Sequence, residues 1–165
     1  MFKFVKKNKD IHAIKDNQIM SVSDGLAMDL KQVPDEVFSQ KMMGDGFAVK
    51  LSSHIICAPV NGTITMIFPT KHAFGIRTKQ GVEILVHIGL DTVTLNGKGF
   101  RALVKEQSIV KAGTPIIEID KQQIEEAGFN TITMVIITNS EEHPIRILKN
   151  GKVTIGKDII ATLES

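Results

Sequence analysis

Glycines and other turn residues recur at short intervals from Gly25 to Gly156, and the stretches between them are β-branched. Residues 62–68, 82–88 and 132–138 are the clearest of these stretches: Gly-Thr-Ile-Thr-Met-Ile-Phe, Val-Glu-Ile-Leu-Val-His-Ile and Ile-Thr-Met-Val-Ile-Ile-Thr. Segments this short, bounded this often by turns, are strand-length and too brief for a packed helix. The chain therefore reads as all-β, an antiparallel sandwich or barrel. Only residues 121–127, stopped by Gly128, read as a helix, with a further short turn over 35–42 entered through Pro34.

One domain accounts for residues 19–165. Residues 1–18, rich in Lys, Asn and Asp, read as a flexible N-terminal arm. Phe2, Phe4 and Val5 in that arm suit either a frayed terminus or a light touch on a membrane surface. With 42% hydrophobic and 23% charged residues, the 165-residue chain has globular composition. A net charge of +2 is too balanced for a nucleic-acid binder, and no Trp or Tyr supplies a stacking platform. The single cysteine, Cys57, cannot form an internal disulfide, and no apolar run reaches the roughly 20 residues of a bilayer span. The expectation is a cytoplasmic protein without strong membrane association.

In residues 82–88, Val82, Ile84, Val86 and Ile88 share one face, which is wholly apolar, while Glu83, Leu85 and His87 share the other. His87 thus points away from the expected core. Between His72 and His87 lies Thr78-Lys79-Gln80-Gly81, a tight-turn sequence. If Thr78 faces Gly81, the register runs outward to set His72 opposite His87, with Cβ atoms roughly 4.5 to 5.5 Å apart. A one-residue bulge at Gly81 shifts this register. Such a pair is either structural or reactive. Neutral imidazole is a good nucleophile near pH 7, and a second imidazole can donate a hydrogen bond to phosphoryl oxygens. A structural zinc site needs four ligands, and His12, His54, His143 and Cys57 are scattered, so no intrinsic metal site is expected.

Gly81-Val-Glu-Ile-Leu-Val-His-Ile-Gly-Leu-Asp-Thr-Val93 resembles the active-site signature of the glucose-family IIA components of the bacterial phosphotransferase system. Ala58-Pro-Val-Asn-Gly-Thr-Ile64 with Phe68-Pro-Thr-Lys-His-Ala-Phe74 is similar to a second family block. Pro34-Asp-Glu-Val-Phe38 with Lys41-Met-Met-Gly-Asp-Gly46 resembles a first, and Val110-Lys-Ala-Gly113 fits further downstream. The resemblance covers the chain from about residue 19 onward. It implies an antiparallel β-sandwich of the duplicated hybrid motif type. It implies that His87 accepts a phosphoryl group on Nε2 from phosphohistidine on HPr and passes it to a cysteine on the IIB domain of a sugar permease, with no cofactor required. His72 would stabilise the phosphoryl group, and Thr70 would orient His72 unless it is a plain turn residue beside Pro69. An apolar docking ring of Val37, Phe38, Met42, Met43, Phe68, Leu85 and Val93 is implied, although Phe38 and Met43 also suit a core. Asp35 and Asp91 would meet an arginine of the donor, and Asp35 equally suits a helix cap.

Thr94 stands where some relatives carry an acidic residue, and Met42 and Met43 replace β-branched residues of some members, changes that bear on partner preference. Regulated permeases, glycerol kinase and a zinc ion shared by His72 and His87 with a partner are further binding expectations that rest on the resemblance alone. Two other readings are weaker. A metallopeptidase would use His87 and Asp91, four residues apart, but the chain has no His-x-His pair. A biotinyl or lipoyl carrier would need a modified lysine at a hairpin tip, and no such tip sequence is present. With no permease segment attached, the expectation is a separate subunit.

Overall fold

The computed structural model describes residues 13–164. Residues 1–12 of the expected arm therefore lie outside the described residues, while the Gln18 N–H bonds the Lys15 carbonyl at 3.0 Å in the turn that leads into the first strand.

Among the described residues, fourteen short strands and two short α-helices follow the glycine-marked pattern. Strands β1 (Gln18–Met20) and β2 (Gly25–Asp29) precede α1 (Glu36–Ser39), and β3 (Asp45–Leu51), β4 (Ile55–Cys57) and β5 (Gly62–Ile67) come next. The central hairpin is β6 (Ala73–Arg77) and β7 (Glu83–Ile88). Strands β8 (Phe100–Ala102), β9 (Ile109–Val110) and β10 (Pro115–Ile119) lead to α2 (Lys121–Glu126). The chain ends through β11 (Thr133–Ile137), β12 (Ile145–Ile147), β13 (Gly151–Val153) and β14 (Ile159–Leu163).

All strand pairs are antiparallel. One sheet of eight runs β13-β2-β3-β11-β7-β6-β5-β9, and two sheets of three run β1-β14-β12 and β4-β10-β8. The main core lies between them. Phe47, Phe74, Ile76, Val86 and Val135 of the large sheet meet Ile19, Ile56, Ile117 and Ile160 of the small ones, all with no exposed surface. Each such side chain contributes about 1.5 to 3 kcal/mol by leaving water, which is what makes the alternating pattern decisive. In β7 the alternation holds as read: Val82, Ile84, Val86 and Ile88 are buried in the main core.

The opposite face of the large sheet is also covered in part. Leu30, Val33 and Phe38, from the segment around α1, pack on Ala48, Ile132, Met134 and Ile136 as a second apolar cluster, with Leu85 at its edge. The helical turn expected over residues 35–42 is shorter than that span: α1 ends at Ser39, and Lys41 is in the left-handed region at φ 57.

Candidate functional site

The β6–β7 hairpin corrects the expected register. Ala73, not His72, faces His87. The cause is Gly81, at φ 89, which stands as an extra residue in the turn: its N–H bonds the Thr78 carbonyl at 3.0 Å, and the Thr78 N–H then bonds Val82, also at 3.0 Å. This is the bulge that a glycine at the last turn position permits. His72 lies one residue beyond the end of β6, where its carbonyl accepts the Ile88 N–H at 2.7 Å. From there its imidazole still reaches His87: the ring centroids are 5.0 Å apart and the planes nearly perpendicular, at 84°.

His87 sits in the middle of the large sheet, between Ala73 on β6 and Met134 on β11. It is half-buried. Phe38 covers one side of its ring at a centroid distance of 5.1 Å. Its Nδ1 lies 2.9 Å from the Gly89 carbonyl oxygen. A carbonyl can only accept, so Nδ1 carries the proton and Nε2 is the free lone pair. Gly89 is itself held on both sides, since its N–H bonds the Ile132 carbonyl at 2.9 Å and the Leu90 N–H bonds the Asn130 carbonyl at 3.0 Å. Gly89 has φ 82, and a Cβ there would lie 2.5 Å from Thr92 Cγ2. Sequence reasoning passed over Gly89 as a site residue; its signal was the glycine two positions after the histidine.

His72 is buried. Its Nδ1 is 2.6 Å from the Thr70 hydroxyl, and Phe68 meets its ring edge-on at 5.4 Å. Burial, followed by the neighbouring His87, pushes the His72 pKa down to about 4. Burial also lowers the pKa of His87; the Gly89 hydrogen bond and the carboxylates of Asp35 and Asp91 oppose that shift. Both imidazoles are therefore neutral near pH 7, close together and partly desolvated.

The other expected site residues divide by exposure. Val37 (42%), Met42 (68%), Met43 (39%) and Val93 (49%) stand exposed. Phe38 is buried in the second cluster, while Leu85 and Phe68 are partly covered. Asp35 caps α1, accepting the Val37 N–H at 2.9 Å, and also acts on His87 through its charge. Asp91 is exposed, with a left-handed backbone at φ 59, at the start of the 3-10 turn Thr92–Leu95. Among the described residues, no three or more His, Cys, Asp or Glu side chains converge as metal ligands, and no helix is long and apolar enough to cross a membrane.

Comparison with known proteins identifies the family. The family described as the phosphoenolpyruvate-dependent sugar phosphotransferase system, EIIA 1, matches residues 17–143. The glucoside-specific EIICBA component of Staphylococcus carnosus is 48% identical over 136 residues, 82% of this chain but only 20% of that protein. The glucose-specific EIIA component of Mycoplasma capricolum is 42% identical over 150 residues, 91% of this chain and 97% of that one. The solved structure of glucose permease IIA from Mycoplasma capricolum superposes with a TM-score of 0.81 at 42% identity, over 90% of this chain and 96% of that one. The antiparallel sandwich is thus the fold of a known relative, and the chain belongs to the EIIA 1 family of the phosphoenolpyruvate-dependent sugar phosphotransferase system.

Proposed function

We propose that this EIIA chain is a phosphohistidine carrier, in which His87 takes a phosphoryl group from phosphohistidine on HPr and gives it to a cysteine on the IIB domain of a sugar permease. The observation that carries this reading is the bond from His87 Nδ1 to the Gly89 carbonyl, which leaves Nε2 as a neutral, aimed nucleophile. In the first step the Nε2 lone pair attacks phosphorus. A new N–P bond forms as the donor's N–P bond breaks, and that electron pair returns to the donor imidazole. Nδ1 keeps its proton throughout, donating it in the hydrogen bond to the Gly89 carbonyl. In the second step a thiolate sulfur forms the S–P bond, and the N–P electron pair returns to Nε2.

His72 is the stabiliser in this scheme. With the Thr70 hydroxyl donating to Nδ1, the ring proton of His72 stands on Nε2, free to bond a phosphoryl oxygen. Positioning and charge stabilisation of this kind are what phosphoryl transfer needs. The exposed Val37, Met42, Met43 and Val93 form a docking ring, with Asp35 and Asp91 as acceptors for a cationic side chain of the donor. Regulated permeases or glycerol kinase would meet the same face in its unphosphorylated state. The chemistry requires no cofactor; a zinc ion here would draw two nitrogens from the histidine pair and the rest of its ligands from a partner. The single buried cysteine supports action in the cytoplasm.

The test mixes the protein with phosphoenolpyruvate, Enzyme I and HPr, and reads phosphate incorporation by intact mass. The wild type should gain an acid-labile, base-stable phosphate. His87→Ala should gain none, and His72→Ala should be labelled but fail to pass the group on. A wild type that takes no phosphate from competent HPr refutes the carrier reading.

A further inference from the structure

Five non-glycine residues among those described have a left-handed backbone: Lys41, Lys71, Asp91, Asn96 and Gln107. All but Gln107 lie on segments that build the histidine site. Lys41 follows α1, Lys71 separates Thr70 from His72, and Asp91 and Asn96 flank the 3-10 turn beside Gly89. Strain of this kind persists only where the surroundings over-determine it, and it clusters at functional sites. Lys71, at φ 58, is with Lys41 the least expected of the site positions, because Asn and Asp enter this region with help from their own short side chains and lysine has none.

The surroundings of Lys71 explain how it is held. Its N–H bonds the Phe68 carbonyl at 2.7 Å, and the Phe68 N–H bonds the Ala73 carbonyl at 3.0 Å. The His72 carbonyl is taken by Ile88. The chain must therefore reverse between β5 and β6 with both ends pinned. In an extended chain, residues two apart stand roughly 6 to 7 Å from each other. Here the left-handed residue between them folds Thr70 back, and its hydroxyl closes on His72 Nδ1 at 2.6 Å. The Lys71 side chain itself is exposed.

We propose that Lys71 is a positioning residue for phosphoryl transfer, acting through its left-handed backbone and not its ammonium group: it closes Thr70 on His72 and so fixes the orientation and tautomer of the second imidazole. This rests on the carrier reading above, in which His72 steadies the phosphoryl group.

The test uses Lys71→Gly, Lys71→Val, Thr70→Ala and the Thr70→Ala/Lys71→Val double variant of the full chain. Two quantities are read: the rate at which the loaded protein discharges to IIB, and the proton NOE between the Thr70 methyl group and the His72 ring. Glycine accepts the left-handed region freely and β-branched residues accept it least. Lys71→Gly should match the wild type in both measurements. Lys71→Val should lose the NOE and discharge about tenfold more slowly or worse. The double variant should be no slower than Thr70→Ala alone, since Lys71 acts only through that hydroxyl. Should Lys71→Val not fold, Lys71→Thr replaces it with the same expectation.

Equal slowing by Gly and Val would assign the effect to the ammonium group and overturn the proposal. So would wild-type behaviour of Lys71→Val, or a double variant in which the two losses add. If the wild type accepts no phosphate at all, the carrier reading falls, and the NOE still decides the geometry: Lys71→Val retaining the contact overturns the positioning role, and losing it while Lys71→Gly retains it upholds that role.

Discussion

His72 ties the site's electrostatics to the stability of the chain. Its pKa is about 4 when folded against an ordinary value of 6.5, first because it is buried and second because His87 stands beside it. Between those two values the unfolded chain binds the proton and the folded chain does not. Stability must therefore fall as the pH drops from about 6.5 to about 4, and level off below. At about 1.4 kcal/mol per pKa unit, His72 alone accounts for up to about 3 kcal/mol. Urea unfolding at pH 7 and at pH 4.5 should show a loss in the wild type that exceeds the loss in His72→Gln by about 2 to 3 kcal/mol. Equal losses would mean that His72 is not held neutral by its surroundings. The identity of His87 as an outward residue was legible in the alternation of residues 82–88. Which of its nitrogens is free came from the family resemblance and not from the pattern, because the direction of the Gly89 carbonyl is set by the backbone and leaves no mark in side-chain periodicity.

Two glycines that look alike in sequence do different things in the elements they join. Gly81 makes the bulge of the β6–β7 hairpin at φ 89, and a Cβ there would meet nothing within 4 Å. Gly81→Ala should therefore cost only the backbone penalty, about 1 to 2 kcal/mol, and leave phosphate uptake intact. At Gly89 the φ is 82, and a Cβ would meet Thr92 Cγ2 at 2.5 Å and the Asn130 carbonyl oxygen at 2.9 Å. Gly89→Ala should cost about 3 kcal/mol or more and slow uptake sharply, since it displaces the carbonyl that holds His87. Thermal unfolding and intact-mass labelling of the two variants check this, and equal effects in both would refute it. The pairing of the two imidazoles was readable at this scale only as an approximation. The turn was placed correctly at residues 78–81, but its bulge moved the facing residue to Ala73, and the ring of His72 makes up the difference from beyond the strand end. The end of α1 escaped prediction for a similar reason: Lys41 is in a left-handed conformation that a lysine gives no cause to expect.

The sandwich as a whole follows from short alternating segments, because burying one face of each strand leaves few other ways to close a core. Strand order is a different matter. That β11 lies between β3 and β7, placing Met134 beside His87, depends on contacts distant in sequence. The second apolar cluster depends on the same pairing, and it lets one molecule hold His87 half-buried while still facing outward. Val37, Met42, Met43 and Val93 stand exposed, and in the proposed carrier they are the rim of the docking face. If that rim is where protein donors dock, then loading by a protein and loading by a small phosphoramidate must respond differently to its loss. Met42→Ser/Val93→Ser changes two exposed side chains and should leave stability almost unaltered, within about 1 kcal/mol. Uptake from phosphorylated HPr should slow about fivefold to tenfold, as truncation of contact residues commonly does. Uptake from phosphoramidate, which needs Nε2 of His87 and no docking surface, should keep its wild-type rate. Equal slowing with both donors would place Met42 and Val93 in the chemistry of the site, and no slowing with HPr would remove them from its docking face.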